Sequence, residues 1–325
     1  MSSRGVDQAM NAERPEKKTV RNLWADIVCE KDARRQEQSD DDCLYLTLSG
    51  RKGLDIALLV ERGVATLTEA GSLVPDSARK VTAVENSPPA VAELQSTFPG
   101  LKILEQPIHS VLRGGSLIRF PDGEHEIFCR ASVVNLDVNE TLRASMDGNK
   151  SVSFPLVNFV HKFALLHLKE PTRPWTLLLT LDARVQWDVD IWQYVANYLS
   201  ENLQAVEGFS TIAKTVWGED FHTRIVGKDA AWTALQHSQH QNLLLALVPK
   251  LIADGIRQHN LEVSVDWGYV YGEHNTGQAP MVTWAISFRT ATGGVTPNAL
   301  YQLNLTRILA QVGRIHGNGE IAHFE

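Results

Sequence analysis

Apolar positions along this chain switch repeatedly between helical and strand spacing. From Val20 to Gln38, the residues Leu23, Trp24, Ile27 and Val28 recur at three- and four-residue intervals, and the run dissolves into Ser39-Asp40-Asp41-Asp42. This predicts an amphipathic helix and an acidic loop over 21–42. The polar, mixed-charge residues 1–20 before it read as a disordered lead-in.

From Cys43 the pattern becomes strand, turn, helix, repeated. Cys43 to Leu48 is a β-favouring run; Ser49-Gly50-Arg51-Lys52-Gly53 is its turn; Leu54, Ile56, Ala57, Leu58, Leu59 and Val60 then crowd a helix reaching Arg62. A second strand, Lys80 to Val84, closes on Glu85. It is followed by Asn86-Ser87-Pro88-Pro89, where Ser87 can cap and Pro88 can open a helix through Phe98. Lys102 to Leu104 is a third strand, ending at Glu105-Gln106-Pro107. A helical turn and then a loop or hairpin over Leu112 to Phe128, turning at Pro121-Asp122-Gly123, precede a fourth strand, Ser132 to Val134, which ends in Asn135-Leu136-Asp137-Val138-Asn139.

Phe154 to Leu168 predicts an apolar helix, Trp175 to Leu181 a fully buried strand, and Ile191 to Leu203 another helix. A helical insertion covers about 208–260. Leu261 to Tyr271 and Met281 to Arg289 predict an antiparallel hairpin joined by the long loop Gly272 to Pro280, and 297–312 a last helix before a Gly-rich tail. Alternating strands and helices require right-handed crossovers and a parallel sheet covered on both faces. The expected architecture is therefore one continuous α/β domain over 43–292, with 293–325 appended as helix and tail.

Composition narrows the functions. Of 325 residues, 43% are hydrophobic and 21% charged, which is ordinary globular composition. A net charge of -7 argues against nucleic-acid binding by bulk electrostatics, leaving only a local basic patch for such a partner. Cys29, Cys43 and Cys129 have no CxxC spacing, so neither a disulfide framework nor a cysteine zinc site is indicated, and a reducing cytoplasm is expected. No apolar run approaches membrane-spanning length.

Five β-α units followed by a hairpin resemble the element order of class I S-adenosylmethionine-dependent methyltransferases over roughly residues 43 to 290. The resemblance implies a Rossmann-like, mostly parallel seven-stranded sheet with an antiparallel terminal hairpin and helices on both faces. It implies S-adenosylmethionine as cofactor, with Ser49, Gly50 and Gly53 at its methionine end, Glu85 and Asn86 at the ribose, and Gln106 by the adenine. Only Gly50 and Gly53 stand where the family usually has three close glycines, and Arg51-Lys52 fill positions that are normally small.

In the amino-methylating branch the fourth strand ends in Asn or Asp, two prolines and an aromatic. Here Asn135-Leu136-Asp137-Val138 keeps the Asn alone. Asn135 and Asp137 are the implied catalytic pair, orienting an amine acceptor such as a nucleic-acid base. The alternatives are an inactive interaction subunit docking a protein partner, and a nucleotide- or phosphate-binding enzyme using Arg51 and Lys52 at a helix start.

Other signals have plainer readings. His237 and His240 share a helix face without a third ligand, and they, His161 and His167 read as surface histidines rather than metal ligands. Asp182 and Arg184 read as a crevice rim or a surface ion pair. The scattered tryptophans read as packing, as do Trp267, Tyr269 and Tyr271 on the hairpin, since no basic cluster is interleaved with them to favour base stacking.

Overall fold

The structure is a computed structural model, which describes residues 14–38, 44–105, 118–120, 123–125, 131–147, 151–167, 174–205, 209–220, 222–223, 237–256, 259, 261–272, 279–290 and 311–324. It is a mixed α/β protein whose central strands are largely parallel. The chain divides into two compact units, one of residues 1–137 with 166–178, the other of 138–165 with 179–325.

The first unit begins with helix α1, Pro15–Gln38. The helix starts well inside the expected lead-in because Pro15 has its φ pre-set for a first helical position and Glu16 sits in the first turn, where the helix dipole favours an acid. Val20, Trp24, Ala25 and Val28 are its buried stripe. Strands β1 (Tyr45–Thr47), β2 (Val81–Val84) and β3 (Lys102–Leu104) follow, separated by helices α2 (Leu54–Glu61), α3 (Pro75–Lys80) and α4 (Pro88–Thr97).

Helix α4 opens at Pro88 as expected, but Ser87 makes no side-chain cap. Glu85 Oε1 instead accepts the backbone N–H groups of Asn86 and Ser87, at 2.8 and 2.9 Å. Of the loop or hairpin left open over 112–128, strands β4 (Ile118–Phe120) and β5 (Gly123–His125) form a small hairpin, paired from Phe120 to Gly123.

Strand β6, Val133–Thr141, runs far beyond the three residues that composition favoured. It starts in the first unit and continues into the second, as does β9, Trp175–Asp182, whose eight residues are all buried. The first unit's strand order is β9-β6-β1-β2-β3, with β6, β1, β2 and β3 parallel. The chain leaves β1 for β2 and β3 on one side and returns to β6 on the other. This is a topological switch point, where the carboxyl ends of the strands flank a crevice.

The second unit holds the short strands β7 (Ser145–Met146) and β8 (Val152–Ser153), helices α5 (Pro155–His167, its last two residues in the first unit), α6 (Val189–Ala205), α7 (Phe209–Trp217) and α8 (His237–Ile256), and the hairpin β10 (Leu261–Tyr271) and β11 (Met281–Thr290). Helix α8 lies in the region read as an insertion, yet Leu243 to Val248 are buried without a break, so it is a core helix packed on β10 and β11. Trp284 Nε1 on β11 donates to Leu245 O on α8 at 3.3 Å. Gly268 permits the approach, since a Cβ there would stand 2.9 Å from the Trp284 ring and 3.4 Å from Leu245.

The order in this unit is β13-β12-β10-β11-β9, with β11 antiparallel to β10. Strands β12 (Val312–Ile315) and β13 (Ile321–His323) correct two expectations at once. The C-terminal segment read as helix end and tail is a strand pair, and the strand number exceeds seven. β12 pairs in parallel with β10, and backbone pairing along an otherwise open edge outweighs the weak local propensity of a Gly-containing run. The rest of the predicted last helix, like the loop at 273–278, lies outside the described residues.

No helix among the described residues is long and apolar enough to cross a membrane.

Candidate functional site

A small pocket opens at the carboxyl end of β1 and beside the middle of β6 in the first unit. Leu48, Ser49 and Gly50 after β1 line it, with Leu54 and Asp55 of α2, Asn135 and Asp137 of β6, and Arg21 and Trp24 of α1.

The structure thus brings four of the predicted site residues together: Ser49, Gly50, Asn135 and Asp137. Gly50 has φ +60° with open space where a Cβ would be, so the turn leaves room beside its backbone. Asn135 is not at a strand end, since β6 runs on to Thr141. It lies level with Thr47, the last residue of β1, and that register places it at the switch point. Asp137 is ion-paired with Lys17 of α1, whose Nζ stands 2.6 and 2.8 Å from the two carboxylate oxygens.

The remaining predicted residues lie elsewhere. Gly53 has φ +54°, and a Cβ there would meet Phe98 at 2.8 Å and Leu94 at 2.9 Å, so its job is to let α2 begin close against α4. Glu85 follows β2 directly, as expected of a strand-ending acid, with Asn86 beside it; neither lines the pocket. Gln106 lies outside the described residues. Arg51 is ion-paired with Glu93 of α4.

Beneath the pocket is a buried polar network that the sequence pattern did not reveal. Tyr45 OH donates to Asp55 Oδ2 at 2.9 Å, Thr47 Oγ1 donates to the same oxygen at 2.5 Å, and Asn135 Nδ2 donates to Tyr45 OH at 2.7 Å. Burial pushes the Asp55 carboxyl above its ordinary range, opposed by the bonds from Thr47 and Tyr45, and burial together with the Asp55 charge pushes the Tyr45 phenol well up.

Two acceptors in this network, Asp55 Oδ1 and Asn135 Oδ1, are buried without a hydrogen-bond partner among the described residues. A native structure rarely leaves such atoms unsatisfied, because each costs about 1–3 kcal/mol. A signal for Asp55 did exist. It is the lone acid in the apolar run Leu54 to Val60, and in that setting an acid needs partners.

No family model matches the chain. Nor does any curated protein. A crystal structure of a candidate class I S-adenosylmethionine-dependent methyltransferase from Listeria monocytogenes aligns with 91% of this chain and 64% of its own, at 11% identity and a TM-score of 0.38. A likeness of that size does not establish a shared fold.

The other candidates resolve as structural groups. Arg184 binds Asp182 through its side chain, and its backbone N–H reaches Asp182 Oδ1 at 2.9 Å, making a local ion pair. Three of the histidines read as surface residues are drawn inward, His167 and His240 fully and His161 in part. His167 is buried, stacks on Trp175 at 4.3 Å and bonds Ala131 O at 3.1 Å. His240 is buried against Trp192, and half-buried His161 lies 3.1 and 3.2 Å from the carbonyls of Leu251 and Ile252. Aromatic neighbours and acceptors at helix carbonyls stabilise imidazoles in the interior, where polarity alone places them outside.

No group of three possible metal ligands occurs among the described residues. Trp175, Trp187, Trp192, Trp217 and Trp284 are buried, as packing residues should be. Trp267 stacks on Tyr269 at 5.5 Å, and Tyr269 meets His323 of β13 at 6.0 Å.

Proposed function

We propose that the first unit binds S-adenosylmethionine in this pocket and that the protein is a methyltransferase acting on an amine, such as that of a nucleic-acid base. The observation that carries the reading is the pair of unsatisfied acceptors, Asp55 Oδ1 and Asn135 Oδ1, beside an open glycine turn at a topological switch point. Buried acceptors next to carboxylates suit a ligand that brings N–H donors and positive charge, and S-adenosylmethionine carries both.

The bound cofactor would supply a methyl group on a sulfonium. What the chain contributes is alignment and exclusion of water. Ser49 and Gly50 would offer backbone at close range, Glu85 and Asn86 would take the ribose, and Asn135 and Asp137 would orient the acceptor.

One observation favours a second reading, in which the fold serves as a non-catalytic interaction subunit. Lys17 covers Asp137, and Arg21 and Trp24 of the same helix wall the pocket, so α1 lies over the residues that an acceptor would have to reach. Calorimetry with S-adenosylmethionine decides between them. Binding by the wild type, weakened by Glu85→Ala, supports the methyltransferase; no binding by folded wild-type protein overturns it and leaves the interaction subunit.

A further inference from the structure

Helix α1 is held in different ways along its length. Over residues 22–38 it buries Trp24, Ala25 and Val28; Arg62, which follows α2, binds Asn22 and Asp26 at 3.0 and 3.1 Å; and Lys80 of α3 stands 2.8 Å from the buried Asp32 carboxylate. Residues 15–21, the first two turns, bury Val20 and are tied to the sheet by the ion pair from Lys17 to Asp137 of β6. Both partners of that pair are 15% exposed, so dissolved salt still reaches it.

The docked first turns also keep polar atoms dry. Glu16, Val20 and Trp24 recur at four-residue spacing on one face and are all buried; Glu16 is 4% exposed, and its Oε2 has no hydrogen-bond partner among the described residues. Trp24 Nε1 is buried without an acceptor, and Asp55 Oδ1 and Asn135 Oδ1, in the crevice that Arg21 and Trp24 wall, are buried without donors. These unmet polar groups oppose docking, while the ion pair and the apolar contacts of Val20 favour it. Opposed contributions at the end of a helix make that end the segment that opens first, since a terminal turn is released without unfolding the rest.

We propose that residues 15–21 are a reversible lid over the crevice, latched by Lys17 on Asp137 and opened by unwinding of the first two turns while residues 22–38 stay anchored. Unwinding returns Glu16 to water and uncovers Asp137, with Asn135 and the Gly50 turn behind it. The small size of the crevice is then a property of the closed state, and the helix that lies over the acceptor's place is a gate to it. The proposal rests on the methyltransferase reading for the molecule admitted, and on α1 alone for the motion.

Hydrogen exchange and calorimetry with S-adenosylmethionine, both on the full chain, test it with two variants chosen to push in opposite directions. Lys17→Met removes the latch; Glu16→Gln removes a buried charge that opposes closing. Exchange over residues 15–21 should be at least about fivefold faster than wild type in Lys17→Met and slower in Glu16→Gln, with residues 25–38 unchanged in both. Raising salt from about 0.1 to about 1 M, which cuts the screening length from about 10 to about 3 Å, should quicken exchange in the wild type and not in Lys17→Met. Since affinity falls with the fraction of molecules closed, S-adenosylmethionine should bind Lys17→Met at least about threefold more tightly than wild type, and Glu16→Gln more weakly. A general loss of stability would not move the two variants in opposite directions.

The same exchange rates over 15–21 in all three proteins overturn the lid, whatever binds. Exchange in the expected order with equal affinities also overturns it, because the opening then controls no access, and leaves the cofactor reading standing. Exchange in the expected order with no binding by any of the three supports the lid and overturns the methyltransferase reading.

Discussion

Lys17 Nζ lies 2.6 and 2.8 Å from the two carboxylate oxygens of Asp137, joining the first turn of α1 to the strand that forms one side of the switch point. The two side chains are each 15% exposed, so water screens the pair only partly. Lys17→Met should therefore lower stability by about 1–2 kcal/mol, because it leaves a largely desolvated carboxylate without its counter-ion. Denaturant titration measures this, and hydrogen exchange in residues 15–24 should quicken. Unchanged exchange there would mean that the ion pair does not hold α1 in place.

Asp55→Asn should act in opposite directions on folding and on ligand binding. In the folded protein the carboxyl is shifted upward by burial, so its proton is held more tightly than in the unfolded chain. The group accordingly favours the fold when protonated, and that contribution is lost as pH rises from the ordinary carboxylate range through the raised value. The Asn variant should be more stable than wild type at neutral pH by about 1 kcal/mol or more, since a buried carboxylate costs more than a buried amide, with the gap closing in acid. Melting curves at several pH values test this, and a variant less stable than wild type at neutral pH would contradict it.

His161 gives the converse slope. Its imidazole is held below the usual range, first by burial, with the backbone bonds to Leu251 and Ile252 opposing. The folded state resists its protonation, so stability is intact above pH of about 6.5 and falls as pH drops toward the lowered value. His161→Gln should flatten the stability profile in that window while keeping a donor for the carbonyls. An unchanged profile would assign the acid sensitivity to other groups.

The two glycines of the β1–α2 turn should separate by cost. Gly50→Ala meets no atom within 4 Å and strains only the left-handed backbone, about 1–2 kcal/mol. Gly53→Ala bears the same backbone strain and also drives a methyl into Phe98 and Leu94, adding about 1–3 kcal/mol of overpacking. Equilibrium unfolding of the two variants should place Gly53→Ala clearly lower. The order would reverse only if α4 yields freely at Leu94 and Phe98.

Much of the framework was legible in the chain because it is encoded locally. Period-two and unbroken apolar runs mark β1, β2, β3, β9 and the β10–β11 hairpin; Pro88 marks the start of α4; Gly50 and Gly53 mark the turn after β1. These follow from the backbone preferences and side-chain periodicity of a few consecutive residues. The length of β6, the pairing of β12 and β13 at the C-terminus, and the burial of His167 and His240 were not legible. Each depends on partners far away in sequence, and polarity by itself does not reveal them.

The candidate site divides in the same way. The sequence by itself determined that Ser49 and Gly50 fall in the turn after β1 and that Asn135 and Asp137 belong to the parallel strand that returns beside it, since crossover handedness and strand order leave few alternatives. Only the tertiary structure decided that Lys17, Arg21 and Trp24, spaced along one face of α1, come to lie over them, and that Asp55 joins Tyr45 and Asn135 beneath. The physical reason is the sequence separation. The contact between Lys17 and Asp137 spans 120 positions, and no local propensity records which helix face will be drawn to a distant carboxylate once the apolar stripe beside it is buried.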